Sequence, residues 1–294
     1  MFRRSIFLLA FLVIVLYFSI ILSMLNPLNG DKSSYYRKSY AGHLGLIRRT
    51  PTVKWCRELQ WQSPPSPNVV ALVSHPGSGN TWLRYLLQQA TGILTGSIYM
   101  DYGLRMHGFP AENVTDGSVL VVKTHELPPA DPPKFMSAVL LIRNPRDAIL
   151  ADFNRLHKGH IGTASKSAFR KRTEGHSRSD WETYVFNQLR IWEHLHWSWL
   201  HNFSGPVHIV FYETLVDDTQ CTLGGILNFL NQTVSEEHME CTVVNKEGIY
   251  RRQKKLHNFE PFTQEMYAAI DVVKKRVQFM VQDYRKRNNC TSSH

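Results

Sequence analysis

Three short stretches place chemistry-bearing side chains just after apolar, strand-like runs. The first is HPGSGNTW, His75 to Trp82. Gly77 and Gly79 let the main chain turn tightly and approach a ligand, and a helix begins near Asn80 or Thr81. The open amides and positive dipole end of such a helix make an anion site, to which Ser78, Asn80 and Thr81 add side-chain donors. A plain strand–turn–helix corner is the alternative. The second stretch is VVKTHELPP, in which Lys123 and His125 stand at a strand end and can point into one cleft. Histidine takes up a proton near neutral pH, and lysine holds developing negative charge. The third is LLIRNPRDAILADFNR, in which Arg143 closes a strand and can clamp a phosphate through paired N–H donors. Arg146 reads as a helix-start surface charge. A nucleotide-hydrolysing P-loop reads G-x-x-x-x-G-K-[ST] and needs its lysine to grip a triphosphate with magnesium. The first stretch has no lysine, and no metal site is evident in the three stretches.

The elements around these residues follow from hydrophobic pattern. NVVALVS (Asn68–Ser74), SVLVVK (Ser118–Lys123), AVLLIR (Ala138–Arg143) and VHIVFY (Val207–Tyr212) are aliphatic or β-branched almost throughout, as strands buried on both faces are. TWLRYLLQQA, DAILADFNRL and WETYVFNQLRIWEHLHWSWL read as helices between them, with Trp181, Trp192 and Trp199 facing the core. Ile270, Val273, Val277 and Met280 make the apolar stripe of a last helix. The alternation predicts an α/β fold, a P-loop-like parallel sheet flanked by helices, with its ligand at the carboxyl ends of the strands.

The whole chain has 294 residues, is 43% apolar and carries a net charge of +10, so an anionic partner is expected. Ile6 to Leu25 is an uncharged run of 20 residues, long enough at about 1.5 Å per residue to cross a bilayer core of roughly 30 Å. Arg3 and Arg4 precede it, which keeps the N-terminus cytosolic. The pattern predicts one N-terminal transmembrane signal-anchor, a cleaved signal peptide being the other reading. Residues 1–5 form the tail, 6–25 the anchor, 26–66 a polar, proline-ended stem and 67–294 the lumenal body. Sequons at Asn113, Asn202, Asn231 and Asn289 agree with a lumenal location, where nucleic acid is not an expected partner. Cys56, Cys221, Cys241 and Cys290 form an even set. A short loop closes readily, which points to Cys221 with Cys241, free buried thiols being the alternative.

Together the three stretches resemble the PAPS-dependent sulfotransferases, which use 3′-phosphoadenosine-5′-phosphosulfate (PAPS). Their 5′-phosphosulfate loop reads roughly P-[KR]-S-G-T-T-W, matched by Pro76, Ser78, Gly79, Thr81 and Trp82. Their catalytic strand end often reads K-T-H, matched by Lys123, Thr124 and His125. Their 3′-phosphate element, R-[ND]-P-[KR]-[DA], is matched by Arg143 to Asp147, and Tyr212 in VFYETL corresponds to a tyrosine near the adenine. The likeness spans about residues 68 to 255. It implies sulfuryl transfer with His125 as base, Lys123 and the Gly77–Thr81 loop balancing charge, and no metal. PGSGNTWLR is similar to the WSC-domain family, the sialate O-sulfotransferases. That implies a Golgi membrane protein of type II topology acting on sialylated glycans, a single-domain member without WSC repeats.

The departures are specific. Gly77 stands where most PAPS-dependent sulfotransferases have Lys or Arg, and Ala151 where many have Ser. Lys123 taking more of the charge, or Arg84 reaching in from the helix, are two ways to compensate. In NKEGIYRRQKK, Arg251 and Arg252 occupy the place of the family's later phosphate loop and are candidate 3′-phosphate ligands. The basic insert from Arg155 to Ser179 reads either as a solvated run or as a mobile loop covering an acidic glycan. A P-loop kinase and a non-catalytic Golgi binding protein on a decayed transferase fold are the rival readings. The oligomeric state is left open.

Overall fold

The computed structural model describes residues 53–129, 134–160, 162–174, 177–250 and 259–291, all within one compact unit, Pro51–His294. The expected anchor, most of the stem, and Arg251 and Arg252 lie outside the described residues, as do the side chains of Asn289 and Cys290. Among the described residues no helix is long and apolar enough to cross a membrane.

β1 (Val70–Ser74) leads through the glycine loop into α1 (Asn80–Thr91). β2 (Gly96–Ser97), the short α2 (Tyr102–Met106) and β3 (Val122–Thr124) follow. β4 (Ser137–Ile142) leads into α3 (Pro145–Lys158), and then comes α4 (Asp180–His201). β5 (Val207–Phe211) runs directly into α5 (Tyr212–Asp217), α6 (Thr219–Phe229) and α7 (Glu236–Val244), and α8 (Gln264–Thr291) closes the chain. The sheet order is β2-β3-β1-β4-β5, and every pair is parallel. β1 therefore sits between β3 and β4, with Val73 beside Thr124 and Ser74 beside Leu141. This is where the winding reverses direction. The crevice at the carboxyl end of such a strand is where open α/β sheets take ligands.

Each face of the sheet carries its own apolar layer. On one, Trp181, Trp192 and Trp199 of α4 pack with Phe153 of α3 and Ile270 and Val277 of α8. The three tryptophans are core residues, as their helical spacing implies. On the other face, Leu83, Leu86 and Leu87 of α1 meet Leu223 and Leu227 of α6. α4 begins with a capping box: Ser179 and Glu182 satisfy each other's backbone amides.

Three sequence expectations change. The strand read over Ser118–Lys123 is confined to Val122–Thr124, because the preceding residues bond elsewhere: Leu120 N–H donates to the Leu94 carbonyl, and Gln62 N–H to that of Ser118. That second bond belongs to a segment, residues 53–66, placed by sequence in the stem. Gln60 exchanges bonds with Gly92 and Leu94, and Ser66 N–H donates to the Gly117 carbonyl. Gly117 is obligatory, since a Cβ there would stand 1.7 Å from the Ser66 oxygen. The disulfide also differs. Cys56 bonds to Cys241 on α7 across 185 residues of sequence, and Cys221 is an exposed free thiol. Closing a short loop favours Cys221–Cys241, but the fold carries Cys56 to α7 and leaves Cys221 on the outside of α6.

Removing the bridge with Cys56→Ser and Cys241→Ser is expected to cost about 2–4 kcal/mol. Cys221→Ser should stay within about 0.5 kcal/mol of wild type. Denaturant midpoints measured on the three chains check this, and equal losses at Cys56 and Cys221 would contradict it.

Candidate active site

Four strand ends converge at the crevice. From β1, the chain enters His75–Gly79 with Gly77 at φ 80° and Gly79 at φ 96°, a left-handed pair that glycine adopts without strain. Gly79 is the N-cap of α1 and offers no capping side chain, so the first-turn amides are left to a ligand. Ser78 is fully buried, and its Oγ has no partner. A buried orphan hydroxyl beside an uncapped helix start fits an anion.

From β3 come Lys123 and His125. His125 Nδ1 donates to the Ser74 carbonyl at 2.6 Å, and its backbone N–H donates to the Tyr99 hydroxyl at 3.1 Å. A carbonyl only accepts, so in the neutral ring Nδ1 carries the proton and Nε2 carries the lone pair. Tyr99 stacks on the imidazole at 5.6 Å between centroids, and Lys123 Nζ lies 5.8 Å from the Tyr99 ring centre. Desolvation, helped by the Lys123 charge, pushes the His125 pKa well below the ordinary histidine value. Burial, with the Arg84 charge behind it, lowers Lys123 to about 8.

From β4 comes Arg143, whose Nη1 donates to the Gly77 carbonyl at 2.9 Å. Its guanidinium lies 4.2 Å from the centre of the Tyr212 ring, and its buried Nε has no partner. Tyr212, at the end of β5, also covers Gly79: a Cβ there would stand 2.6 Å from the ring. The glycine loop is thus bonded to the imidazole at one end, through Ser74, and to the guanidinium at the other, through Gly77. Three separate turns form one site.

The sulfotransferase domain model matches residues 67–287. A WSCD family member from Aedes aegypti is 46% identical over 266 residues, covering 82% of this chain and 83% of its own. A WSCD family member from Drosophila melanogaster is 47% identical over 247 residues, covering 76% and 77%. The chain belongs to the sulfotransferase and WSCD families. It is also similar to the solved mouse sulfotransferase SULT7A1 complexed with PAP, at TM-score 0.46 and 17% identity over 77% of this chain and 89% of that one. Retinol dehydratase in complex with androsterone and PAP gives TM-score 0.40 and 15% identity over 75% and 81%.

Within this sulfotransferase several predicted site residues have narrower tasks. Asn80 turns its amide inward, donating to the Leu72 carbonyl at 3.1 Å and Ser74 Oγ at 3.2 Å, so it pins the loop to β1. Trp82 is buried and donates from Nε1 to the Lys246 carbonyl at 2.6 Å, tying α1 to the chain after α7. Thr81 is half-buried at the helix start. Arg84 does not reach the loop. It is fully buried, with Nη1 2.6 Å from Glu112 Oε1 and its remaining donors on Thr95. A guanidinium under the sheet needs that carboxylate, and the pairing holds it away from the crevice. Arg146 is half-exposed as expected, and pairs with Asp147 and Glu260. The basic insert is anchored rather than loose. Phe169 packs between Phe153 and Trp181, Asn154 accepts from Ala164 N–H, and His160 Nε2 meets Asp101 at 2.8 Å. Lys166, Arg170, Lys171 and Arg172 remain exposed. Among the described residues no group of three His, Cys, Asp or Glu could hold a metal ion.

Sequence reasoning missed Tyr99 and the pair Asp152–Arg155. Tyr99 follows β2, a strand too short to show any periodicity. Asp152 lies in a segment read only as a helix, and Arg155 was read as the first residue of the basic insert.

Gly77 explains its own departure from the family pattern. A Cβ there would lie 2.2 Å from the Ala148 carbonyl oxygen and 2.7 Å from the Asp152 nitrogen, both backbone atoms of α3. Gly77→Lys, which restores the usual family residue, is expected to lose more than about 1–2 kcal/mol, the left-handed cost alone, and to gain no turnover. Thermal unfolding and PAPS turnover of the variant check this; a stable, faster enzyme would refute the packing argument.

Proposed function

We propose that the protein transfers a sulfuryl group from PAPS to a hydroxyl of a sialylated glycan. On this reading it is a type II Golgi membrane protein with its catalytic body in the lumen. Family membership supports the reaction class. The observation that carries the mechanism is the His125 Nδ1 bond to the Ser74 carbonyl, which aims an unprotonated Nε2 from the lip of an anion loop. The orphan Ser78 Oγ and Arg143 Nε are consistent with the donor nucleotide.

In the reaction, His125 Nε2 takes the proton of the acceptor hydroxyl as that oxygen forms its bond to sulfur. The sulfur's bond to the 5′-phosphate oxygen breaks, and the electron pair stays on the phosphate. The loop amides, Ser78 and the Lys123 ammonium hold the charge that gathers there. Arg143 and Tyr212 hold the far side of the nucleotide. The net charge of +10 and the exposed cations of the insert suit a carboxylate-bearing sugar. Asn113, Asn202 and Asn231 are all exposed, as glycosylation in the lumen requires.

The direct test incubates the full-length protein with radiolabelled PAPS and matched sialylated and desialylated glycans. Label on the sialylated set alone supports the reading, and label on neither set overturns it. His125→Ala should lower kcat by about 10²–10⁴-fold, the usual contribution of a positioned base, with PAP binding retained. The pH profile has a definite sign. His125 works when neutral, and its lowered pKa puts the acid limb of kcat/KM below the ordinary histidine value. Lys123 works when charged and loses its proton as pH rises through about 8, so the basic limb falls there. Lys123→Arg should remove that basic limb; a limb unmoved by the substitution would take Lys123 out of the mechanism.

A further inference from the structure

A general base works only when its lone pair is aimed, and a single hydrogen bond does not aim a ring. The bond from His125 Nδ1 to the Ser74 carbonyl, at 2.6 Å, holds one atom of the imidazole. Ser74 is held in turn by the Asn80 amide, 3.2 Å from its Oγ. The ring can still tilt about the Nδ1 bond, and Nε2, across the ring from it, then moves furthest. A second contact has to set the plane.

Tyr99 touches His125 in two ways. Its ring stacks on the imidazole, at 5.6 Å between centroids and 24° between planes. Its hydroxyl accepts from the His125 backbone N–H at 3.1 Å, which holds the same residue at the main chain. Lys123 Nζ, 5.8 Å from the ring centre, is near the limit for a cation over an aromatic face. His125 is therefore the residue that Tyr99 holds most closely. Tyr99 is itself fixed. Its N–H donates to Ser97 Oγ at 3.1 Å, and its carbonyl accepts from Asn113 N–H at 3.0 Å. The residue before it, Ile98, donates from its N–H to the Lys123 carbonyl at 3.0 Å. These bonds tie Tyr99 to the end of β3, from which His125 leaves. β2 has only two residues and pairs with β3 at Lys123, so this short strand delivers an aromatic ring against the base.

We propose that Tyr99 is the positioning residue of the general base: it sets the imidazole plane and, with the Ser74 carbonyl, fixes the direction of the Nε2 lone pair. The assignment rests on the sulfuryl-transfer reading above. The acceptor proton goes to Nε2 as the acceptor oxygen forms its bond to sulfur. Nδ1 keeps its own proton on the Ser74 carbonyl, so the ring becomes cationic without giving up either contact. A cation against an aromatic face is favourable, so the stack holds through the step. In this role Tyr99 acts only through His125.

The test is a double-mutant cycle in the full-length enzyme, with radiolabelled PAPS, a sialylated acceptor and PAP affinity as the check on folding. Tyr99→Leu removes both contacts and is expected to lower kcat by about 10²-fold, the effect of a misplaced reacting group. PAP affinity and both KM values should stay near wild type. In a His125→Ala background the same substitution should cost less than about threefold, because no base is left to position. Tyr99→Phe keeps the stack and loses the hydroxyl, and should lower kcat by about two- to tenfold, as for one hydrogen bond. Wild-type kcat in Tyr99→Leu overturns the assignment. So does an undiminished loss in the His125→Ala background, which would give Tyr99 a task of its own. So does a rise confined to acceptor KM, which would make Tyr99 an acceptor contact instead. If Tyr99→Leu no longer binds PAP, Tyr99→Phe decides: its loss should vanish in the His125→Ala background, and an unchanged kcat or a loss that persists there refutes the proposal. A wild-type enzyme that labels no acceptor removes the sulfuryl-transfer reading itself and this assignment with it.

Discussion

The site depends on one close approach, that of the Gly77 main chain to the backbone of α3. No side chain fits between them, since a Cβ would lie 2.2 Å from the Ala148 oxygen. That contact sets where the loop carbonyl at residue 77 points, and hence where Arg143 is held at 2.9 Å. It seats the loop against Asp152. It also removes the loop cation that the family pattern leads one to expect. A single steric constraint thus decides how the crevice is charged, and the cations are delivered from neighbouring elements instead of from the loop.

Burial then sets the proton affinities. Lys123 is 8% exposed and is pushed down to about 8, with desolvation as the main cause. Arg84 adds to that push and is itself neutralised by Glu112, fully buried beside it. The fold holds a buried ion pair, Arg84 with Glu112, whose charges act on Lys123, a costly arrangement unless both partners are satisfied. They are: the guanidinium fills its remaining donors on Thr95, and Glu112 Oε2 also accepts from Asp101 N–H. Desolvation, helped by the Lys123 charge, keeps His125 neutral, the state a general base needs.

Much of this was legible in the sequence, for a physical reason. Strands buried on both faces are continuous apolar runs, so β1, β4 and β5 stand out, and the polar residues that end them are then the residues of the crevice. Gly77, Arg143 and Tyr212 were found that way, whereas Lys123 and His125 were found at the end of the run Ser118–Lys123, of which only the last residues are strand. What failed to show was set by contacts distant in sequence or by elements too short to have a period. β2 has two residues, so Tyr99 had no visible strand to end. Arg84 looks able to reach the loop until Glu112, in an irregular segment, is known to lie beneath it. Asp152 sits in a segment that reads only as a helix, and its contact with Gly77 has no sequence signal. The bridge from Cys56 to Cys241 could not be read from loop length, because the fold had already brought the two positions together.

That bridge bears on the site as well as on stability. Residues 53–66 run beside Gly92, Leu94 and Gly117, and Cys56 fastens them to α7. Just beyond α7, Asn245 donates from Nδ2 to the Cys241 carbonyl at 2.8 Å, and its own carbonyl accepts from the Tyr85 hydroxyl at 2.7 Å. The next carbonyl, that of Lys246, accepts from Trp82 Nε1. Trp82 in turn sets its ring edge-on to Tyr212, at 5.6 Å and 65°. The path therefore runs from the bridge, through α1, to the aromatic ring that covers Gly79 and stacks on Arg143. Packed aromatic rings with hydrogen-bonded polar ends have few alternative arrangements. Fixing α7 at a covalent point therefore limits the positions open to Tyr212, and through it the spacing of guanidinium and glycine loop. A segment that sequence assigns to a spacer is, in its last residues, part of the frame that keeps the anion cradle in shape.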